Sequence, residues 1–269
     1  MKKLLDRIFI DGLGGMAQGL FATLIIGTII QQIGLFMGGG TGDLIYELGK
    51  IAAGLTGAGI GVGVARKLEA GHLVIVSAAV VGMIGAFAGK ILSGQVLVDG
   101  NLVLAGPGEP LGAFAAAYLA IEIGILISGK TKLDIILTPL VCIGTGSAVG
   151  LFVGPPISEF MLWLGSLINW GTEQQPFLMG IVVSVLMGMI LTLPISSAAL
   201  GVILNLSGLA AGAATIGCCC NMIGFAVASW RENKFSGFLA QGIGTSMLQI
   251  PNIVRRPLIW LPVILSSAF

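Results

Sequence analysis

Charge is what this chain has least of. Charged residues make up 9% of its 269 residues, whereas about a quarter of the residues in an ordinary soluble protein are charged. Hydrophobic residues make up 56%, and the mean hydropathy is +1.04. Because no basic run offers a nucleic-acid surface, we expect no nucleic-acid partner. The composition predicts an integral membrane protein whose surroundings are the lipid bilayer.

Side chains that carry metal or nucleophilic chemistry are also scarce. The chain has one histidine, His72, and four cysteines, Cys142 and the triplet Cys218 to Cys220. These cysteines lie in apolar surroundings and lack the Cys and His spacing of a zinc site. We interpret them as small packing residues, and we expect neither a metal nor a cofactor.

Long apolar segments are abundant, and they predict an all-α polytopic membrane protein. A regular transmembrane helix needs about 20 residues, and several segments approach that length. The candidate spans are Leu13–Met37, His72–Leu92, Gly108–Ser128, Asp134–Gly154, Pro176–Leu193 and Ser207–Trp230. Ile51–Ala65, Ile195–Leu206 and Phe235–Ile250 are shorter, which favours broken or re-entrant helices. We expect roughly eight to ten transmembrane or re-entrant helices in all.

Two further features concern the ends of these spans. The basic start, MKKLLDR, precedes an apolar segment too long for a signal peptide, so we expect this segment to be retained as the first span. Pro155 and Pro156 predict the end of the fifth span. The next segment, Ile157–Trp170, has two tryptophans and suits an interfacial helix.

Basic residues are distributed unevenly between the two sets of predicted loops. One set holds Lys2, Lys3, Arg7, Arg66, Lys67, Lys130 and Lys132. The other set is mainly acidic. Since short cytoplasmic loops are enriched in lysine and arginine, we expect the amino terminus to be cytoplasmic.

A weak internal similarity suggests two half-repeats within one membrane domain, residues 1–269. GLFATLIIG, beginning at Gly19, resembles GIVVSVLMG, beginning at Gly180, and GLTGAG at Gly54 resembles GLAAGA at Gly208. The predicted halves are residues 1–155 and 176–269, the second incomplete, with 156–175 as an interfacial connector. Five candidate spans separate the first pair, which would invert the second half, as in many secondary transporters. Chance similarity between glycine-rich apolar segments is the alternative.

Polar amides interrupt the apolar stretch from Leu193 to Pro257. Hydrocarbon cannot solvate them, so Asn205, Asn221, Gln241 and Asn252 must face protein, water or a ligand. One hypothesis is that broken helices meet there and that the four amides line a polar substrate cavity. The alternative is structural, with helix caps and hydrogen bonds between helices.

Glu122 is the most conspicuous charged residue, because it is predicted near the middle of the Gly108–Ser128 span. An ionised carboxylate is costly there, so we expect it to be protonated, paired or in contact with water. This makes Glu122 a candidate for proton coupling and substrate binding. The alternative is a displaced span that lets Glu122 reach the interface, or a neutral acid bonded to helix backbone.

The carboxyl-terminal part of the chain resembles a known family. The segments that carry the resemblance are PISSAALGVILNLSGLAAGAATIGCCCNMIGFAVASW from Pro194, then REN, LAQGIGTSMLQIPNIVRRP and IWLP. They resemble the type 2 enzyme IIC membrane proteins of the phosphotransferase system, also called PfoR-like regulators. The resemblance implies a multi-pass protein of the bacterial inner membrane, a fold related to sugar-translocating enzyme IIC domains, a homodimer, and soluble phosphotransferase subunits as partners.

The resemblance also bears on chemistry. Phosphorylation of a sugar needs domains with a phospho-histidine and usually a phospho-cysteine, which we do not recognise here, so we expect a transport component and not an enzyme. Sugar-type relatives often carry Gly-x-x-Glu-Pro, and residues 106–110, GPGEP, have that spacing. The resemblance implies that Glu109 contacts sugar hydroxyls. The alternative is an exposed loop acid between two helix breakers.

Three functions remain open at this point. The first is a transporter that moves a small polar solute, sugar-like or another organic molecule, by alternating access. The second is a membrane-embedded ligand sensor or regulator, as the PfoR-like name implies. The third is a lipid-handling protein, which the short spans and many glycines would suit.

Overall fold

The computed structural model describes residues 6–98, 100–193, 206 and 208–269. The chain divides into two compact units, Met1–Ser158 and Glu159–Phe269. Nearly all described residues are helical, which confirms the predicted all-α class. The exception is a two-stranded antiparallel hairpin, β1 (Leu97–Val98) and β2 (Asn101–Leu102), in unit 1.

Unit 1 begins with a long helix, α1, made of four consecutive segments. They are Arg7–Gly12 and Phe21–Ile25, both with π-helical hydrogen bonding, and the α-helical Leu13–Leu20 and Ile26–Met37. The following helices are α2 (Gly39–Gly54), α3 (Thr56–Lys67), α4 (His72–Leu92) and α5 (Pro110–Ile127). Helix α6 (Asp134–Gln174) starts in unit 1 and continues into unit 2.

Glycines allow the helices of unit 1 to approach each other closely. A Cβ atom added at Gly15 would lie 2.6 Å from the carbonyl oxygen of Gly63, and one at Gly27 would lie 2.6 Å from the amide nitrogen of Ala53. The same close approach recurs between α4 and α5, where a Cβ added at Gly85 would lie 2.5 Å from the Gly112 carbonyl oxygen. Small residues at helix interfaces are typical of membrane proteins, where dispersion contacts between helices replace the hydrophobic effect.

Unit 2 contains shorter and more irregular elements. Its helices are α7 (Pro176–Thr192), α8 (Gly208–Ala228), α9 (Trp230–Leu239), α10 (Ile250–Arg255) and α11 (Leu261–Ala268). Between α9 and α10 the chain forms a π-helical turn, Ala240–Gly244, then an extended residue, Thr245, and a 3-10 turn, Ser246–Gln249. This segment confirms the glycine-interrupted break expected within Phe235–Ile250.

Helices α7, α8 and α11 pack through small residues. A Cβ at Gly188 on α7 would lie 2.8 Å from the Gly217 carbonyl on α8. Ser184 on α7 donates to the Ser267 carbonyl on α11 at 2.6 Å, and Ser267 donates to the Gly217 carbonyl at 3.3 Å. These contacts bring three helices together around Gly217.

Five helical segments among the described residues are long and apolar enough to cross a membrane, or six if the bent pair α2 and α3 is one span. The five are Ile10–Met37, His72–Leu92, Pro110–Ile127, Asp134–Ile157 and Gly208–Ala228. Phe177–Thr192 and Pro257–Ala268 are shorter apolar segments. The expected short second span is the pair α2 and α3, with a bend of 50° between them.

One predicted boundary is wrong. The helix of the fifth span does not end at Pro155 and Pro156, because α6 continues through both prolines to Gln174, although the part that is long and apolar enough to cross a membrane, Asp134–Ile157, ends close to them. Proline removes one hydrogen-bond donor but does not stop a helix whose backbone is shielded by other contacts. The half-repeats and the connector at 156–175 stay predictions, and Ile195–Leu206 lies almost wholly outside the described residues.

Candidate functional site

A group of buried polar side chains lies where α7, α8 and the chain break of unit 2 meet. We call it the Asn221 cluster, and it consists of Asn221, Thr192 and Ser246. The Thr192 hydroxyl donates to Asn221 Oδ1 at 2.9 Å and is 3.1 Å from Ser246 Oγ. All three residues are completely buried, with 0% exposure. Three separate elements thus bring hydroxyl and amide groups together away from solvent.

Only one end of the Asn221 amide has a hydrogen-bond partner among the described residues. Its oxygen accepts from Thr192, but its nitrogen, Nδ2, is buried without a hydrogen-bond partner among the described residues. An unpaired buried donor costs about 1–3 kcal/mol, and the large majority of buried polar groups in proteins have a hydrogen-bond partner. The donor therefore marks a position suited to a hydrogen-bond acceptor.

Local sequence explains why the cluster forms at this point. Gly188 and Gly217 have no side chains, so α7 and α8 approach closely, and a Cβ at Gly188 would lie 3.2 Å from Asn221 Nδ2. Thr245 is extended, with φ −157° and ψ 139°, and its hydroxyl accepts from the Met247 amide at 3.1 Å. This cap starts the 3-10 turn and places Ser246 at its first residue.

The other amides of unit 2 form a separate hydrogen-bonded chain. Asn252 donates to Gln249 Oε1 and Gln249 donates to Gln241 Oε1, both at 2.8 Å. Gln241 in turn donates to Ser229 Oγ at 2.9 Å. Gln241 uses both ends of its amide in this chain, which favours the structural alternative for that residue. Asn252 is exposed, and its predicted role in binding stays a prediction.

Glu122 forms an ion pair with Arg7 in unit 1. Arg7 Nε lies 2.6 Å from Oε1, and Nη2 lies 3.3 Å from Oε2, so both carboxylate oxygens are engaged. This hydrogen bond raises the pKa of Arg7 above its ordinary value. The Tyr118 hydroxyl, one turn away on α5, is buried with no hydrogen-bond partner among the described residues. Of the expected states of Glu122, the structure shows the paired one.

The position of Glu122 in its helix differs from the expectation. Helix α5 runs from Pro110 to Ile127, so Glu122 lies in its last third and not near the middle. Its side chain is 31% exposed. The helix ends at Ile127, close to the predicted end at Ser128, so the expectation of a position near the middle was too deep for the predicted span as well. The proton-coupling role stays a prediction.

Glu109 caps the start of α5. Its carboxylate accepts from the Leu111 amide at 3.3 Å, and its own amide donates to the Ala86 carbonyl of α4 at 2.7 Å. Gly108, with φ +71°, lets the loop pass so close to α4 that an added Cβ would lie 2.7 Å from the Ala86 Cβ. Burial raises the pKa of Glu109, although the Leu111 hydrogen bond opposes this effect. Glu109 is thus part-buried and not a freely exposed loop acid, and its contact with sugar stays a prediction.

The structure separates the predicted site residues into groups. Glu109 and Glu122 belong to unit 1, Asn221, Gln241 and Asn252 belong to unit 2, and Asn205 lies outside the described residues. Sequence reasoning missed Thr192, Ser246 and Arg7 as partners of these residues. Threonine and serine are common in apolar helices, so nothing in the sequence distinguished these two. The described residues contain no cluster of three or more His, Cys, Asp or Glu side chains able to hold a metal ion.

The fold and the comparisons together define the class of protein. Several apolar helices, close glycine contacts and a buried polar cluster beside a broken helical segment are features of a multi-pass membrane transport protein. Residues 10–269 match the family Phosphotransferase system, EIIC, and the chain belongs to this family. Its members are membrane permease components that work with other phosphotransferase components. No curated protein matches the chain.

Proposed function

We propose that this protein moves a small neutral polar solute, sugar-like or another hydroxyl-bearing organic molecule, across the bacterial inner membrane by alternating access. The observation that supports this proposal most directly is in the Asn221 cluster, where the Nδ2 donor of Asn221 has no acceptor among the described residues. Family membership supports a role in sugar transport. Hydroxyl groups suit this cluster because they accept from an amide and donate to an oxygen.

The break at Thr245 supports this assignment. Irregular backbone within a membrane protein is tolerated where protein or a polar cavity covers it, and transporters often bind solute beside such breaks. Ser246 follows the break directly and belongs to the Asn221 cluster. We place the solute's hydroxyl group next to Asn221 Nδ2, with Asn205, Gln241 and Asn252 as further candidate contacts. Glu109 and Glu122, which belong to unit 1, stay candidate binding residues considered separately from the Asn221 cluster.

We also propose a membrane orientation and an oligomeric state for this protein. The amino terminus is cytoplasmic, which places Arg7 and Lys130 on the side where soluble phosphotransferase components act. The protein works as a homodimer, as the resemblance to enzyme IIC proteins implies. Single cysteines at Lys130 and in the β1–β2 hairpin, introduced after the four native cysteines are replaced by serine or alanine, can be labelled from each side of the membrane to test the orientation.

Uptake into proteoliposomes tests the function. Labelled neutral sugars and polyols, supplied as a panel, should include at least one solute that enters against a protein-free control. Asn221→Ala should reduce this flux at least tenfold while gel filtration and circular dichroism still report a folded protein. Asn233→Ala, on the exposed part of α9, is the matched control and should leave flux unchanged.

Two results would overturn the proposal. Saturable binding of a solute without flux under any imposed gradient would indicate the sensor or regulator. Flux that persists in Asn221→Ala would show that the solute does not use the Asn221 cluster.

A further inference from the structure

The loop of unit 1 that joins α4 to α5 has an unusually apolar surface. Between residues 91 and 108, which include the β1–β2 hairpin, the sequence has eight Ile, Leu and Val residues and a single charged residue, Asp99. Leu97 and Leu102 are 62% and 68% exposed, and Leu104 is 36% exposed. Contiguous exposed apolar side chains mark a surface that contacts a partner or a membrane.

The hairpin has two different faces, because side chains alternate along a strand. Leu97 and Leu102 are directly opposite each other in the antiparallel pair, so their side chains share a face, and Leu104 continues it two residues on. We call these three residues the leucine face. Val96, next to Leu97, belongs to the other face and is buried, with 5% exposure. The hairpin thus packs through one face and leaves the leucine face uncovered by the described residues.

Hydrogen bonds hold both ends of this loop beside the last turns of α4. The Gln95 amide donates to the Lys90 carbonyl at 2.9 Å, and the Glu109 amide donates to the Ala86 carbonyl at 2.7 Å. Helix α4 is long and apolar enough to cross the membrane, and Ala86 lies six residues before its end at Leu92. Six residues correspond to about 9 Å along a helix. The returning chain is therefore level with the last turns of a transmembrane helix.

Lys90 indicates where the membrane interface lies on this loop. Its ammonium group donates to the Ala105 carbonyl at 3.2 Å and lies 5.6 Å from the centre of the Phe87 ring. A lysine close to the end of a transmembrane helix extends its charged group to the interface. The Ala105 carbonyl is consequently at interface depth, and it directly follows the leucine face.

We propose that the leucine face inserts at the boundary between lipid headgroups and acyl chains, which makes the β1–β2 hairpin an interfacial anchor for α4 and α5. Interfacial elements bury their apolar face by about 5–10 Å, which agrees with the depth to which the loop returns beside α4. The outer strand edges stay among the hydrated headgroups, because open sheet edges do not occur in hydrocarbon.

The chemistry of the leucine face also selects the lipid contact. This face has no basic residue that could bind an anionic headgroup, and the ammonium group of Lys90 already bonds to Ala105. The contact is therefore apolar and does not depend on lipid charge. The proposal is independent of the proposed transport function.

Spin labels on single cysteines measure the depth of the hairpin. In the full-length protein with its native cysteines replaced, Leu102→Cys is labelled with a nitroxide and reconstituted into phosphatidylcholine vesicles. Oxygen concentrates among the acyl chains, whereas a nickel chelate stays in water. The ratio of oxygen to nickel collision rates at residue 102 should exceed that at Asn101→Cys about threefold or more. Asn101 is the matched control, because it is exposed and points to the opposite face.

Two further measurements extend the test. Leu97→Cys, directly opposite Leu102, should give the same high ratio, and it decides the question if Leu102→Cys does not fold. An equal mixture of phosphatidylcholine and phosphatidylglycerol should leave the ratio at residue 102 unchanged. A high ratio that appears only with the anionic lipid would overturn the apolar contact.

The remaining outcomes also decide the question. Nickel collision rates at residues 97 and 102 that are as high as at residue 101 would place the hairpin in water and overturn the proposal. Labels shielded from both oxygen and nickel would show that protein covers the leucine face, either another part of this chain or a second copy, and would overturn it as well. Solute flux in the Asn221 variants has no bearing on these results.

Discussion

The ion pair between Arg7 and Glu122 should hold the start of α1 against α5. Its geometry is close to bidentate, with contacts of 2.6 and 3.3 Å, and the two side chains are 40% and 31% exposed. Fully exposed pairs contribute about 0.2–1 kcal/mol, and hydrogen bonds to charged groups contribute about 1.5–3 kcal/mol. For this intermediate exposure we expect a coupling free energy of about 1–2 kcal/mol.

A double-mutant cycle measures this coupling. Arg7→Met keeps the apolar stem of the side chain, and Glu122→Gln keeps its shape. Each single variant should lower stability, and the double variant should lose less than the sum of the two. Unfolding by SDS in mixed micelles, followed by far-UV circular dichroism, supplies the free energies. Tryptophan fluorescence is unsuitable here, because all four tryptophans lie in unit 2.

The exposed pair Glu47 and Lys50 is the matched control. Its single contact is 3.4 Å long, and its side chains are 58% and 64% exposed. The same cycle at this pair should give about 0.3–0.5 kcal/mol. If the coupling between Arg7 and Glu122 does not exceed that of the control pair, the ion pair does not tether α1, and the reasoning is refuted.

Two further predictions concern packing and pH. Gly217→Ala should cost about 1–3 kcal/mol, because the added Cβ collides with the Ser184 carbonyl. Gly212→Ala on the same helix meets no atom of the described residues within 4 Å and should be neutral or stabilising in the same SDS assay. Because burial raises the pKa of Glu109, its contribution to stability is present at acidic pH and lost as pH rises through the raised pKa. Melting temperatures from about pH 4 to pH 7 should therefore show Glu109→Gln becoming more stable relative to the wild type, and a constant difference would contradict this.

Much of the helical architecture was predictable because it depends on local composition. The first span, expected at Leu13–Met37, is found at Ile10–Met37, and the span expected at Ser207–Trp230 is found at Gly208–Ala228. The main error was the helix end at Pro155. A proline signals a break when the backbone is exposed to water, and the sequence alone does not reveal how well a segment is covered.

The candidate site was predictable only in part. Asn221 was recognised because an amide in an apolar segment must find a partner or a ligand. Its partners come from other elements. Thr192 ends α7, 29 residues before Asn221, and Ser246 follows the chain break at Thr245. Which of the amides bond to one another, as Gln241 and Gln249 do, depends on packing between elements.

By itself the sequence determined that this chain is a membrane protein of apolar helices, because the hydrophobic composition and the length of each segment are local quantities. Only the tertiary structure decided that Glu122 meets Arg7, 115 residues away, and that the Asn221 amide nitrogen has no partner among the residues that the structure describes. The physical reason is that hydrogen bonds and ion pairs depend on distances of about 3 Å between elements, and hydropathy carries no information about such distances.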